Sequence, residues 1–196
     1  HLIRTSTAGH IFTVLDEKNE KVNDATIWLA GHEYKPDQKG RIVVPFTSQP
    51  LRQGIVIRQG NFSSLDHFQH QSENYEFKAG IYVDRESLLN RNTTKLVVRP
   101  ALYLNGTPVT LSVLDEVKLT ISSTDRDGVV TTKQGNDFKL FEDRETVYDF
   151  VTPARLAQIS FRIDAKVHNL SQNKKVDLTV ADSFVYDHKT NRWREI

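Results

Sequence analysis

The chain has no cysteine and no methionine among its 196 residues. Without cysteine there can be no disulfide, no thiolate nucleophile, no zinc–thiolate site and no thioester. The missing cysteines do not decide the compartment, because bacterial extracytoplasmic proteins and cytosolic proteins are both compatible with that count. Since the sequence starts at His1 instead of an initiator methionine, we expect a processed protein or an excised part of a longer one.

Long apolar runs and an excess of one charge sign are also missing. Hydrophobic residues make up 38% of the chain and charged residues 26%, which is ordinary for a soluble globular protein. No apolar run approaches the roughly 20 residues that span a bilayer, so no membrane insertion is expected. The 26 basic and 25 acidic side chains are interspersed and leave a formal charge of +1. Nucleic acid is therefore not expected as a partner.

The first fifty residues carry the pattern of a small β-sandwich. Residues 9–14 and 26–29 read as strands, the second with apolar side chains at alternate positions. Residues 37–40 read as a turn in which Gly40 takes a positive φ. Residues 41–45 then return to the sheet, and nothing in this order requires a substrate.

Eight of these residues form a recognisable series: Gly9, Val22, Ala25, Ile27, Leu29, Asp37, Gly40 and Ile42. The series resembles the carboxypeptidase regulatory-like or transthyretin-like Ig-type module, with its glycine-led strand, its strand containing alanine and valine, and its aspartate–glycine turn. Lys35-Pro36 departs from the pattern, because threonine is usual there. Modules of this kind occur in cell-surface, secreted and macroglobulin-like proteins. The resemblance therefore implies a scaffolding or binding role.

Residues 61–80 read as a connector between two modules. A strand is predicted at 54–58, and apolar side chains then recur at every third position over 62–68, which predicts a short helix. Four aromatic residues are candidate binding residues that could stack on a ligand, although their simplest role is to seat the connector against the sandwiches. They are Phe62, Phe68, Tyr75 and Phe77.

The second half has the pattern of an antiparallel β ladder. Asn105-Gly106 is a strong signal for a tight hairpin. Residues 159–167 alternate apolar and polar side chains, which predicts a strand with one wet face. The strands predicted for this half are 95–99, 109–114, 117–122, 128–132, 138–141, 146–151, 159–167 and 176–180.

A further pattern lies at the entrance to this half. Tyr82, Asp84 and Arg85 are followed by the strand Val97-Val98-Arg99. This arrangement is similar to the start of a macroglobulin domain, but Leu88-Leu89-Asn90-Arg91-Asn92 departs from it because the tyrosine and the proline–glycine turn are absent. With the first module, it implies an alpha-2-macroglobulin-like protein. The thioester and bait segment of that family are not in this sequence, so protease trapping is not implied.

Two short stretches could hold a metal ion. Asp125 and Asp127 precede a glycine as in part of a calcium loop. A third acid and a bidentate glutamate are missing, so a plain hairpin turn is favoured. His67 and His70, next to Asp66, could bind a transition metal from one side of a helical turn, but a solvated surface turn is favoured there. We therefore predict no metal and no cofactor.

The sequence carries no catalytic motif. Gly-x-Ser-x-Gly, a glycine-rich phosphate loop and His-Glu-x-x-His are all absent. The paired acids Asp115-Glu116 and Glu142-Asp143 lie at predicted strand ends or turns, where solvated carboxylates are common. The chain is therefore predicted not to be an enzyme.

Together these patterns predict an all-β chain with two antiparallel Ig-like β-sandwiches, macroglobulin-like and transthyretin-like, in tandem. The predicted domains are a carboxypeptidase regulatory-like sandwich at 1–60, a connector with a short helix at 61–80, a macroglobulin-like sandwich at 81–181, and a docked tail or the start of a next module at 182–196.

The predicted function is that of non-catalytic structural or interaction modules of a larger bacterial extracytoplasmic or surface protein. The alternative is a carbohydrate- or peptide-binding module that uses the connector aromatics or the loops around Asp125 and Asn136. The expected partners are other domains of the same larger chain and protein or glycan ligands.

Overall fold

The computed structural model describes residues 1–89 and 91–196, and its regular secondary structure is almost entirely β-strand. Asn90, part of the stretch that departs from the macroglobulin pattern, lies outside the described residues. The pairs whose register is described are all antiparallel. The predicted all-β, antiparallel Ig-like fold class is thus confirmed.

Sixteen strands are described, with two 3-10 helices, Ser87–Leu89 and Leu111–Val113. The strands are β1 Leu2–Ser6, β2 Gly9–Thr13, β3 Thr26–Leu29, β4 His32–Tyr34, β5 Arg41–Val44, β6 Leu51–Gln59, β7 Phe62–His70, β8 Tyr75–Val83, β9 Thr93–Leu104, β10 Thr107–Val109, β11 Leu114–Asp125, β12 Val130–Gln134, β13 Thr146–Val151, β14 Leu156–Asn169, β15 Lys174–Asp187 and β16 Arg192–Glu195.

The chain divides into two compact units. The first contains His1–Tyr75, Tyr103–Val109 and Asn169–Lys174. The second contains Glu76–Leu102, Thr110–His168 and Lys175–Ile196. The first unit therefore continues beyond residue 60, and the domain boundaries drawn from the sequence stay a prediction.

The first unit has a three-stranded sheet, β1-β2-β5, and a four-stranded sheet, β4-β3-β6-β7. Alternate side chains of both sheets enter one core, because successive residues of a strand face opposite sides. Gly40 has the predicted positive φ, +64°, at the turn into β5. The buried core consists of Phe12, Val14, Ala25, Ile27, Leu29, Ile42, Val44, Ile55 and Phe68.

The helix predicted over 62–68 is wrong. Phe62–His70 is strand β7, which pairs with β6 over nine residues, from Gln59 opposite Phe62 to Leu51 opposite His70. The three-residue apolar spacing marks no buried helix face, since Phe62 and Leu65 are exposed while Phe68 is buried. The long ladder to β6 satisfies the backbone donors and acceptors that a short helix would leave open at its ends.

In the second unit, a five-stranded sheet has the order β12-β11-β14-β15-β16, and β9 pairs with both β8 and β13. The alternation predicted for 159–167 is present in β14, whose buried residues include Ile159, Phe161 and Ile163. The end of β15 pairs with β16, with Tyr186 opposite Trp193. Trp193 is buried there and its ring lies 5.6 Å from that of Tyr186.

Two predicted strands are wrong. Residues 109–114 are divided because the Thr110 side chain accepts a hydrogen bond from the N–H of Ser112, and the Glu142 carboxylate accepts one from the N–H of Leu111 at 2.6 Å. These side-chain bonds form a 3-10 turn in place of a ladder. Residues 138–141 form no strand, although Phe138 is buried and its ring lies 6.2 Å from that of Tyr148.

Candidate functional site

The four candidate aromatic residues are divided between the two units. Phe62 is 71% exposed at the start of β7, whereas Phe68 is buried with its ring 5.0 Å from that of Phe12. Tyr75 is half-buried at the start of β8, and Phe77 is a buried residue of the second unit. Phe68 and Phe77 therefore serve as core side chains, and ligand binding by these aromatics stays a prediction.

Tyr75 belongs to a buried polar cluster that the sequence did not indicate. Its hydroxyl donates to Oε1 of Glu73 at 3.1 Å, and Oε2 of Glu73 accepts from the N–H of Ser171 at 3.0 Å. Burial raises the pKa of Tyr75 above its usual range, and the negative charge of Glu73 adds to the shift. The side chain of Asn169 donates to the Glu73 carbonyl at 3.1 Å. The partners lie almost a hundred residues apart, so no local pattern predicts them.

The Asp125 carboxylate caps a hairpin turn. Its Oδ1 accepts from the N–H groups of Asp127 and Val129, each at 2.9 Å. The carboxylate of Asp127 forms an ion pair with Arg155 at 3.1 Å. Within the described residues, no group of three or more His, Cys, Asp or Glu side chains is placed to hold a metal ion.

The solvated surface turn favoured for His67 and His70 is wrong, and so is the helical geometry on which their shared metal site depended. Both lie on β7, where residues three apart face opposite sides of the strand. His70 is buried, with Nδ1 2.8 Å from Oε1 of Gln53 and Nε2 2.7 Å from the Pro45 carbonyl. Its ring nitrogens are thus occupied by neighbours within the first unit.

His10 is a buried titratable residue that sequence analysis missed. Its ring lies 5.1 Å from that of Phe46 and 5.3 Å from that of Phe68, and Nε2 accepts a hydrogen bond from the N–H of Gln71 at 3.1 Å. Burial and, to a smaller extent, the neighbouring His70 lower the pKa of His10 to about 4. The burial of His10 could have been predicted from the two-residue period of β2, which puts His10 on the same face as Phe12.

A cavity of about 630 Å³ opens in the second unit between strands of its two sheets. Ile121, Ser123, Thr131 and Lys133 of β11 and β12 line one side. Tyr148 and Phe150 of β13 line the other side, and Arg91 and Pro153 also belong to the lining. We call this cavity the β12–β13 groove. Its volume is in the range of ligand sites, about 300–1,000 Å³.

Two features describe the chemistry of the groove. The lining contains a single carboxylate, that of Asp149, which forms an ion pair with Lys95 at 3.2 Å. Asn136, one of the loop residues named in the peptide-binding alternative, also lines it, and its N–H donates to the Tyr148 hydroxyl at 3.2 Å. The described lining therefore offers no carboxylate pair for acid–base work, but it does offer apolar surface, hydrogen-bonding groups and positive charge.

The comparisons with known proteins give two matches. Residues 84–192, more than half of the chain, match the family model described as the AbpF third immunoglobulin-like domain. The whole chain is also 31% identical over 202 residues to Actin-binding protein F of Dictyostelium discoideum. The chain spans only 8% of the length of that relative. No solved structure matches the chain.

These matches correct the predicted location. The extracytoplasmic, cell-surface placement is wrong, because the relative that matches the whole chain is an actin-binding protein. The macroglobulin-like and transthyretin-like membership and the bacterial origin are not confirmed by either match. No helix in the described part of the chain is long and apolar enough to cross a membrane. On its family match and its antiparallel β architecture, the chain belongs to the immunoglobulin-like domain family of the AbpF third immunoglobulin-like domain.

Proposed function

We propose that this chain is a non-catalytic protein-interaction module of a longer actin-binding protein, and that it contributes a contact with actin filaments. The supporting observation is the extent of the match, which covers this whole chain at 31% identity while taking up 8% of Actin-binding protein F. A stretch of that share is one module among several in such a protein. The β12–β13 groove supports a binding role, since its lining is suited to recognition and not to acid–base chemistry.

Co-sedimentation with filaments of purified actin tests this proposal. The chain at fixed concentration is centrifuged with increasing filamentous actin, and the pelleted fraction is measured. We expect saturable pelleting. The pelleted fraction should fall as salt is raised, because salt screens the ion pairs between exposed side chains of the two proteins. A chain that stays in the supernatant at every actin concentration would contradict the actin contact.

A second candidate function is peptide or carbohydrate binding, as in the alternative drawn from the sequence. The position of Asn136, Tyr148 and Phe150 in the β12–β13 groove supports it.

A finer proposal, drawn from the sequence resemblance, is that the parent protein is macroglobulin-like. A downstream thioester or peptidase domain in the parent chain would support it.

A further inference from the structure

We infer that the β12–β13 groove binds an extended peptide segment of a partner protein, which adds as a strand to the outer edge of β13. The inference rests on the proposed interaction function and names the surface and the kind of partner. The segment would alternate apolar side chains and carry an acidic residue. Four features of the second unit support this assignment.

The first feature is an open backbone edge on β13. This strand ends its path of paired strands, β10-β9-β13. The N–H of Thr152 donates to the carbonyl of Asn92 at 3.0 Å, and the register continues with Phe150 opposite Thr94 and Tyr148 opposite Leu96. Even-numbered residues therefore bond to β9, because antiparallel strands alternate bonded and non-bonded pairs. The backbone groups of Val147, Asp149 and Val151 point outward, as a template for an added strand.

The second feature is the apolar surface on both faces of that edge. Val147 and Val151 are 55% and 67% exposed along this edge, and Val151 also borders the groove. Towards the groove, the Phe150 ring lies 5.4 Å from that of buried Phe161, and Ile121 closes the wall opposite. An added strand would cover the two valines with one set of alternate side chains and fill the groove with the other.

The third feature explains why we choose β13 over β12. The N–H of Gly135 donates to the Leu119 carbonyl at 2.9 Å, and the N–H of Asp125 donates to the Val129 carbonyl at 3.0 Å. Odd-numbered residues of β12 thus bond to β11, so the open groups of β12 belong to Val130, Thr132 and Gln134. All five residues of β12 are exposed and include a lysine, a usual protection of strand edges. β13 carries more apolar side chains than β12: Val147, Phe150 and Val151 against Val130.

The fourth feature is charge. Arg91 and Lys133 contribute two positive charges to the lining. The single carboxylate of the lining, Asp149, is paired with Lys95 at 3.2 Å. The groove therefore complements an acidic residue in the bound segment.

The length of β13 sets the length of the bound segment. Six residues, about 20 Å when extended, match this strand.

Phage display tests this inference. A library of random 12-residue peptides is panned against the whole immobilised chain. Enriched peptides are synthesised with a fluorescent label, and their Kd is measured by fluorescence polarisation. We expect alternating apolar residues with an aspartate or glutamate, and weaker binding at higher salt. N-methylation of alternate backbone amides should abolish binding in one register and leave it nearly unchanged in the other, which a pocket that reads side chains only would not produce.

Neighbouring residues of β12 provide matched variants. Thr131 lines the groove opposite Ser123, whereas Thr132 lies on the other face beside Ser122, their hydroxyls 3.3 Å apart. Thr131→Trp should raise the Kd at least tenfold by filling the groove, and Thr132→Trp should change it less than twofold. Lys133→Glu should raise the Kd of acidic peptides, because it replaces a positive charge in the groove lining with a negative one. Both threonines are exposed, so the variants should keep the wild-type circular dichroism, which is checked first.

Three results would overturn the inference: no enrichment over uncoated beads, equal Kd values for Thr131→Trp and wild type, or insensitivity to N-methylation in both registers. Light scattering gives a fourth outcome. A dimer that Thr131→Trp dissociates would assign the groove to a second copy of the chain instead. If the chain pellets with actin but enriches no peptide, only this inference is contradicted. If it binds peptides but does not pellet with actin, only the proposed actin contact is contradicted.

Discussion

At the scale of single residues, Gly40 shows how one backbone angle constrains the first unit. Its φ is +64°, and a Cβ built on it would overlap Oδ1 of Asn23. Gly60 has a similar φ, +55°, but open space around the Cβ position. The two glycines therefore separate backbone strain from steric overlap.

We expect Gly40→Val to lower the free energy of unfolding by about 1–3 kcal/mol, because a β-branched side chain is strained at positive φ and also meets Asn23. Gly60→Val should cost less, since only the strain applies. Urea unfolding of both variants is the measurement. Equal losses would show that the contact with Asn23 contributes nothing.

His10 makes the stability of the first unit depend on pH. The pKa of His10 is about 4 in the folded chain and 6.5 for a fully solvated histidine, so the unfolded chain binds an extra proton between these two pH values. Stability from this residue is complete above about pH 6.5 and is lost as pH falls toward 4. The expected loss between pH 7 and pH 5 is about 2 kcal/mol.

The variant His10→Gln tests this, because a glutamine can still accept from the N–H of Gln71 but does not titrate. Unfolding free energies are measured by urea at pH 7 and pH 5. The wild type should lose about 2 kcal/mol more than the variant over this interval. Parallel pH dependence in the two proteins would contradict an unprotonated His10 in the folded chain.

At the scale of structural elements, the β11–β12 turn depends on the oxygen of one side chain. Asp125→Asn keeps an acceptor for the N–H groups of Asp127 and Val129, whereas Asp125→Ala removes it. The alanine variant should lose about 1 kcal/mol of unfolding free energy and the asparagine variant less, as measured by urea unfolding.

Excess chelator should leave the Tm of the wild type unchanged. A calcium ion at a hundredfold its Kd would contribute about 2.7 kcal/mol, so a fall on chelation that calcium reverses would contradict the simple turn.

The hairpin of β15 and β16 supplies core side chains to the second unit. Truncation after Ala181 removes Phe184 and Trp193, which are 2% and 5% exposed. Large-to-small changes at such aromatic positions cost about 3–5 kcal/mol each, comparable with the whole stability of a domain. We expect the second unit of the truncated chain not to fold, as judged by heteronuclear NMR.

Trp193→Phe is the milder control for that truncation. The indole N–H of Trp193 is buried without a partner among the described residues, so phenylalanine removes no hydrogen bond described for it. The variant should remain folded. A truncated chain with unaltered unfolding, together with water-like fluorescence of Trp193 in the intact chain, would show that the hairpin does not stabilise the unit.

At the scale of the whole molecule, the extent of the first unit can be tested by fragments. Residues 1–60 lack β7, which pairs with β6 along nine residues and carries the core residue Phe68. Residues 1–75 contain all strands of both sheets of this unit. We expect cooperative thermal unfolding by circular dichroism for 1–75 and not for 1–60. Cooperative unfolding of the shorter fragment would support the boundary drawn from the sequence.

The sequence by itself determined the features that arise within one strand or one turn. The alternation of β14, the burial of Ile42 and Val44 in β5, and the positive φ of Gly40 follow from a two-residue side-chain period and from the freedom of glycine. The missing cysteine excluded thiol chemistry before any fold was known. These are local or compositional properties, so a linear reading is sufficient for them.

Only the tertiary structure decided the features that depend on distant partners. Phe62–His70 is a strand because β6 lies beside it, and the Glu73 carboxylate is satisfied across almost a hundred residues by Ser171. The open edge of β13 exists because β9 occupies just one of its sides. Strand order determines which backbone groups stay unpaired, and that order is set by contacts distant in sequence. The sequence therefore indicated an Ig-like sandwich, while the location of the open β13 edge followed from the assembled sheets.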